Sequence, residues 1–342
     1  MARAFITLIA AAGICAAVPV SAQEAQDTSR AKSGSTSGSA ADTESADTVS
    51  QDDFSQKAKA AGVSAQDLSV QILLGRAGFS PGVIDGFGGG NTKAAVRDWQ
   101  KANGMTVDGT TDQALLNALR SADQAPLLQE IQVSTEDASQ SFSSIPDGME
   151  AQAELDHLGY ESAEEMFAER YHMDIDLLKK LNPDADFSKA GETITVVRKS
   201  TAPLTGEIAL LEISRSENRL RVYDADGKLI TAFPATVGSS DMPSPDGKME
   251  VRAVAPEAKY YFDPEANPNW GPDQNLTLAA GPNNPVGGVW IDLTKDTYGI
   301  HGTPNPSTIG KTASHGCVRL TNWDARKLAD AVSAGTQVSF VN

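Results

Sequence analysis

Apolar positions along the 342-residue chain fall into three regimes, each with its own period. Between residues 64 and 119 the period is helical. Leu68, Ile72 and Leu73 predict one helix, which the glycine-rich run over 75–90 ends. Thr92 stands where it would cap a second helix carrying Ala95, Val96, Trp99 and Gln100. The turn Gly104-Met-Thr-Val-Asp-Gly109 closes that helix, and residues 111–119 predict a third.

The second regime, over 159–197, mixes periods. Ser162 with Glu165 forms a capping-box pattern ahead of a helix whose inner face carries Met166, Phe167 and Tyr171. Asp174 opens another helix through Leu177, Leu178 and Leu181, stopped by Asn182-Pro183; residues 190–197 then alternate like a strand. His172 and His157 read as surface or cap residues here. From Gly206 onward the runs are short and extended, at 208–213, 219–223, 229–237, 248–254, 289–293 and 338–341. One late helix interrupts them, capped by Thr321-Asn-Trp-Asp324 and ended by Gly335. The pattern predicts a multidomain α+β protein whose C-terminal domain is a mainly-β sandwich or barrel.

Polar segments separate these regimes. Arg3, the apolar stretch 5–18, Pro19 and Val20-Ser21-Ala22 predict a secretory signal peptide over 1–22, too short in its apolar part to span a membrane. Residues 23–60 are dominated by small and polar types and predict a disordered linker. The expected organisation continues with a three-helix domain over 61–121, a linker over 122–149, a helix-and-strand module over 150–200 and the β domain over 205–342.

Charge narrows the partners. A formal net charge of −17 opposes nucleic acid or an anionic membrane surface, either of which calls for a basic face. Of the two cysteines, Cys15 would leave with the signal peptide, so Cys317 becomes a lone thiol in an exported protein. It sits in the run His301-Gly-Thr-Pro-Asn-Pro-Ser-Thr-Ile-Gly-Lys-Thr-Ala-Ser-His-Gly-Cys317-Val-Arg319, among glycines and near two imidazoles. That combination suggests nucleophilic catalysis, with His301 as general base across a Pro/Gly-rich loop that can fold back on the thiol. The Gly316 and Cys317 N–H groups are candidate oxyanion donors, each typically worth about 2.7–4 kcal/mol. A neighbouring imidazole would raise the thiolate fraction. Zinc lacks a fourth ligand at suitable spacing, and no cofactor is called for.

Tyr298-Gly-Ile-His-Gly-Thr303 followed by Ser314-His-Gly-Cys-Val-Arg-Leu320 resembles the L,D-transpeptidase catalytic domain of YkuD type. So do Phe233-Pro-Ala-Thr-Val-Gly238, Pro243-x-Pro-x-Gly247 and Gly281-Pro-Asn-Asn-Pro-Val-Gly287. The resemblance implies that the Gly302 carbonyl orients the His301 ring. His315 is left between a structural hydrogen bond and proton transfer, and Arg319 between clamping a substrate carboxylate and pairing with a core acid. Ser314 would support the loop, and Tyr298 and Trp290 would line the groove or fill the core. Upstream, the helix and Asp-Gly turn order resembles the peptidoglycan-binding domain PG_binding_1, with Asp85-Gly86 and Asp108-Gly109 at its repeated turns. Residues 159–197 resemble a LysM module lacking its first strand, either degenerate or glycan-binding.

The resemblance implies a periplasmic enzyme that forms a Cys317 thioester with a peptidoglycan tetrapeptide stem, releasing D-alanine. An amine would then take the acyl group, from another stem (a 3–3 cross-link) or from an outer-membrane lipoprotein. Two alternatives stand beside it: an L,D-carboxypeptidase or hydrolase of such links, and a wall-binding scaffold without activity.

Overall fold

The structure is a computed structural model that describes residues 47–238, 244–245, 247–265, 271–314 and 316–342. The expected signal peptide, Cys15 and His315 lie outside the described residues. Among those described, no helix is long and apolar enough to cross a membrane.

Side-chain caps start most helices of the first half. β1 (Asp47–Thr48) leads into α1 (Gln51–Ala60), whose first turn is capped by Ser50 Oγ accepting from the Asp53 N–H at 3.2 Å. This corrects the expected linker over 23–60: Phe54 and Ala58, four residues apart, make an apolar stripe narrow enough to escape notice yet fully buried. α2 (Ala65–Arg76), α3 (Gly90–Ala102) and α4 (Gln113–Ala122) are the three predicted helices. Thr92 does not cap α3. It lies in the first turn, buried, and its Oγ1 accepts from Gln71 Nε2 at 3.1 Å.

The two Asp-Gly turns are built alike. Gln71 Oε1 accepts from the Gly86 N–H at 2.8 Å while its Nε2 donates to Asp85 at 2.8 Å. Gln100 repeats this with the Gly109 N–H at 3.0 Å and Asp108 at 2.8 Å. Both glutamines are buried, so each turn is held by a side-chain amide whose own polar atoms are satisfied there.

The stretch 122–149 is not a plain linker either. It contains β2 (Leu128–Gln132), the short α5 (Thr135–Ala138) and the start of α6 (Met149–Ala153). α7 (Ala163–Arg170) and α8 (Ile175–Leu181) follow, then β3 (Thr193–Val197), which pairs antiparallel with β2. Leu128 is buried opposite Val197 and Ile131 opposite Ile194, one pair on each face; five residues without alternating burial carry little sequence signal. His172 is also corrected. It adopts a positive φ of 60° after α7, and its ring stacks on Trp323 with centroids 5.0 Å apart.

The remaining strands are β4 (Leu210–Ser214), β5 (Arg219–Tyr223), β6 (Leu229–Pro234), β7 (Gly247–Ala255), β8 (Tyr260–Phe262), β9 (Leu276–Leu278), β10 (Trp290–Leu293), β11 (Gly299–His301), β12 (Val318–Arg319) and β13 (Gln337–Val341). Eight of them form one mixed sheet in the order β12-β11-β10-β7-β13-β4-β5-β6, while β8 and β9 make a separate hairpin. The sheet curls until its two edges meet: Thr236, just past β6, exchanges two backbone hydrogen bonds of 2.9 Å with Arg319 of β12. Leu211, Ile213, Ile291, Ile300, Val318 and Val338 fill its interior, against which α9 (Asn322–Ala329) lays Ala325 and Leu328.

The helical half is stitched to this sheet through backbone and buried charge. The Ser80 N–H donates to the Ala232 carbonyl of β6 at 2.9 Å, while within the helical half Ile84 exchanges two bonds with the segment 172–174. Asp98 on α3 bridges Arg219 Nε (2.9 Å) and Arg221 Nε (2.6 Å) on β5. Asp98 and Arg219 are almost inaccessible to water.

Candidate active site

Strand register places Cys317 and His301 on one face of the sheet. β11 and β12 run parallel with Ile300 opposite Val318 and His301 opposite Arg319. Side chains alternate across a strand, and Ile300 and Val318 are both buried in the core. His301, Arg319 and Cys317 therefore share the opposite face, with the thiol one residue before Val318. Trp290 of β10 pairs with His301 in register, and the two rings stack with centroids 5.5 Å apart. The indole also lies directly over Gly299, where any side chain would collide with it. Trp290 is thus half-buried and packed against His301 and Gly299.

The loop before Cys317 is held by two buried hydroxyls. Ser314 Oγ accepts from the Gly316 N–H at 3.1 Å and donates to the Cys317 carbonyl at 2.5 Å. Ser244 Oγ accepts from the Gly238 N–H and donates to the Gly316 carbonyl, both at 2.8 Å. The expectation that the Gly316 N–H serves an oxyanion is corrected by this geometry, since that donor is occupied by Ser314. Gly316 has φ +119°, and a Cβ there would approach the Tyr298 ring to 3.0 Å, so glycine is required and Tyr298 borders the loop.

Electrostatics set the resting protonation. His301 is 5% exposed, and burial, with a further push from the Arg319 cation, lowers its pKa to about 4 against the opposing pull of the Gly302 carbonyl. Its Nδ1 lies 2.7 Å from that carbonyl, which can only accept, so the proton of the neutral ring sits on Nδ1. Nε2 is left as an unprotonated base. Cys317 is half-buried; burial pushes its thiol up, partly offset by backbone hydrogen bonding at Gly299 and by Arg319. Both shifts favour a thiol beside a neutral imidazole. Among the described residues no carboxylate pairs with Arg319, whose charge is felt at Cys317, His301 and Tyr260 alike.

Sequence reading missed Ser244, Tyr260 of β8, and Asn322, whose Oδ1 accepts from the Thr303 N–H at 2.7 Å. Each carries an ordinary residue type in an ordinary place. The only signal was that Ser244 lies inside the Pro243-x-Pro-x-Gly247 stretch and Asn322 inside the cap of α9.

Comparison with known proteins gives two domain matches: the L,D-transpeptidase catalytic domain (YkuD) over residues 209–339 and the putative peptidoglycan binding domain PG_binding_1 over 65–119. The chain is 34% identical over 130 residues to the putative L,D-transpeptidase YkuD of Bacillus licheniformis, a match covering 38% of this chain and 64% of that protein. It thus spans a little under two thirds of that relative. It is 31% identical over 142 residues to the putative L,D-transpeptidase YqjB of Bacillus subtilis, covering 40% of this chain and 72% of that protein. The solved L,D-transpeptidase of Xylanimonas cellulosilytica is 16% identical, with a TM-score of 0.36 over 82% of this chain and 94% of that one. On the catalytic-domain match and the YqjB identity, this chain belongs to the L,D-transpeptidase (YkuD) family.

Proposed function

We propose that the protein is an exported L,D-transpeptidase acting on peptidoglycan, with Cys317 as nucleophile and His301 as base. The observation that carries this reading is the shared sheet face of Cys317 and a neutral His301 whose Nδ1 is tied to Gly302 and whose Nε2 is unprotonated. The Cys317 sulfur attacks the carbonyl of the third stem residue as its proton passes to His301 Nε2. The same proton goes to the departing nitrogen, so that D-alanine leaves and a thioester remains. An acceptor amine then attacks, gives its proton to Nε2, and displaces the sulfur, which takes that proton back. We assign the oxyanion contact to the Cys317 N–H, because the Gly316 N–H is engaged by Ser314. Arg319, a cation without a carboxylate partner among the described residues, suits the free carboxylate of the stem.

The upstream units support a wall substrate. The PG_binding_1 match, and the pairing of β2 with β3 around the α7–α8 helices, both support a protein held on the wall. We read residues 150–200 together with β2 as the LysM-like module. The test is incubation with disaccharide-tetrapeptide and mass spectrometry of the products. Cross-linked dimers are expected. Tripeptide alone would move the reading to a carboxypeptidase, and a Cys317→Ala variant that kept activity would overturn the nucleophile. Adding a lysine-terminated lipoprotein peptide to the same assay distinguishes stem amine from lipoprotein as acceptor.

A further inference from the structure

Glu169 lies on α7, outside the stretch that matches the catalytic domain. Its Oε2 accepts from Asn322 Nδ2 at 2.8 Å, and its Oε1 accepts from the Tyr160 hydroxyl at 3.1 Å. The orientation of the Asn322 amide is fixed by groups that have one role each. Oδ1 accepts from the Thr303 N–H at 2.7 Å, and a backbone N–H can only donate. Nδ2 donates to the Pro282 carbonyl at 3.0 Å, and a carbonyl can only accept. Nδ2 must therefore face Glu169, and Glu169 must offer an acceptor.

The Thr303 N–H and the Gly302 carbonyl are the two ends of one peptide group, which is planar and rigid. Fixing the direction of the N–H fixes the direction of the carbonyl. That carbonyl, 2.7 Å from Nδ1, holds the His301 ring. Backbone also crowds Asn322 from the other side. Gly287 (φ +59°) and Gly302 both lie so close to Oδ1 that neither position admits a Cβ, which leaves the amide no room to shift.

We infer that Glu169, supplied by the unit upstream of the catalytic domain, is a positioning residue for His301, acting through Asn322 and the Gly302–Thr303 peptide. Glu165 on α7 and Arg326 on α9 complete the charged surroundings of its carboxylate. Hydrogen bonds in such a chain polarise one another, so an acceptor at Glu169 also strengthens the grip of Asn322 on the peptide. The inference rests on the reading of His301 as base. The upstream unit completes the active site from behind.

The experiment uses the full chain and four variants: Glu169→Ala, Glu169→Gln, Asn322→Ala and the double variant Glu169→Ala with Asn322→Ala. Glu169→Gln keeps an acceptor for Asn322, with its amide nitrogen turned to the Tyr160 oxygen. Three quantities are read: turnover of disaccharide-tetrapeptide, the rate of Cys317 alkylation by iodoacetamide, and the nitrogen-15 NMR signals of His301. Glu169→Ala is expected to lower kcat and the alkylation rate roughly tenfold or more, with KM within about twofold, as for other supports behind a reacting group. Its Nδ1 signal should move toward the mixed-tautomer value. Glu169→Gln should restore most of the rate, and Glu169→Ala should add little in an Asn322→Ala background. Equal losses in Glu169→Ala and Glu169→Gln would overturn the inference, as would an unchanged His301 spectrum in Glu169→Ala. If Glu169→Ala fails to fold, Glu169→Gln and Asn322→Ala still decide it, because only the second should disturb the His301 signals. Alkylation and NMR need no wall substrate, so failure of the proposed reaction and failure of this inference are read separately.

Discussion

Ser314 Oγ donates to the carbonyl of Cys317 at 2.5 Å, so the hydroxyl three residues before the thiol ties down the backbone on the far side of it. The same oxygen receives the Gly316 N–H, and one small side chain therefore satisfies two backbone groups of a loop with a positive φ. Replacing Ser314 by Ala strands both. A buried unsatisfied group costs about 1–3 kcal/mol, so Ser314→Ala should lower the unfolding midpoint in urea and reduce turnover together. Unaltered stability in that variant would show that the loop is held by other means.

The neutral resting pair predicts how Cys317 reactivity follows pH. Burial raises the thiol and lowers His301 to about 4, so alkylation of Cys317 should still be climbing at pH 9, with no plateau near neutrality. A thiolate–imidazolium pair would instead give a flat rate from about pH 6 upward, on ordinary histidine titration. Alkylation followed by intact-mass spectrometry across pH 5–10 separates the two.

Stability should carry opposing pH dependences from His301 and Glu169. The folded state holds His301 neutral down to about 4, whereas the unfolded chain takes up that proton below 6.5, so this contribution is lost as pH falls through that window. Burial raises Glu169 to about 7, against the hydrogen bonds of Asn322 and Tyr160, so the native state binds the extra proton between 4.5 and 7. Its contribution is lost as pH rises through that range. Urea unfolding of wild type and Glu169→Gln from pH 4.5 to 8 should show Glu169→Gln gaining relative stability as pH rises. A constant difference would contradict the raised carboxyl.

Asp98 neutralises the almost inaccessible Arg219 across the contact between α3 and β5. Asp98→Ala leaves a buried guanidinium without its counter-charge and should cost about 3–5 kcal/mol, visible as a large shift of the urea midpoint. Pairing it with Arg219→Met should recover much of that loss, since two apolar groups can replace a buried pair. Failure of the double variant to recover would show that Arg221, which shares Asp98, dominates the contact.

The chemistry-bearing residues are legible because they lie close together in the chain. His301, Gly302, Ser314, Gly316, Cys317 and Arg319 fall within nineteen positions, and the alternation of the strands around them marks their face. The three helices of the first half and the late helix were readable from period and caps for the same reason. What escaped depends on residues far apart in sequence. Glu169 and Asn322 are 153 positions apart, and on its own helix Glu169 resembles any solvated acid. β2 is five residues long and is stabilised by β3, more than sixty positions later, so nothing local distinguishes it from a connector. The Gly316 N–H looked available because sequence cannot show that Ser314 turns its hydroxyl back on it.

The Ser80–Ala232 backbone bond and the Asp98 bridge have a consequence for how the enzyme would meet its substrate. A binding unit on a flexible leash lets the reactive centre sample many neighbouring strands. One welded to the sheet cannot swing. Any glycan strand gripped by α2–α4 would be presented to Cys317 at one fixed offset and angle. The protein would then act as a caliper on the wall, able to choose stems by their spacing and not only by their composition.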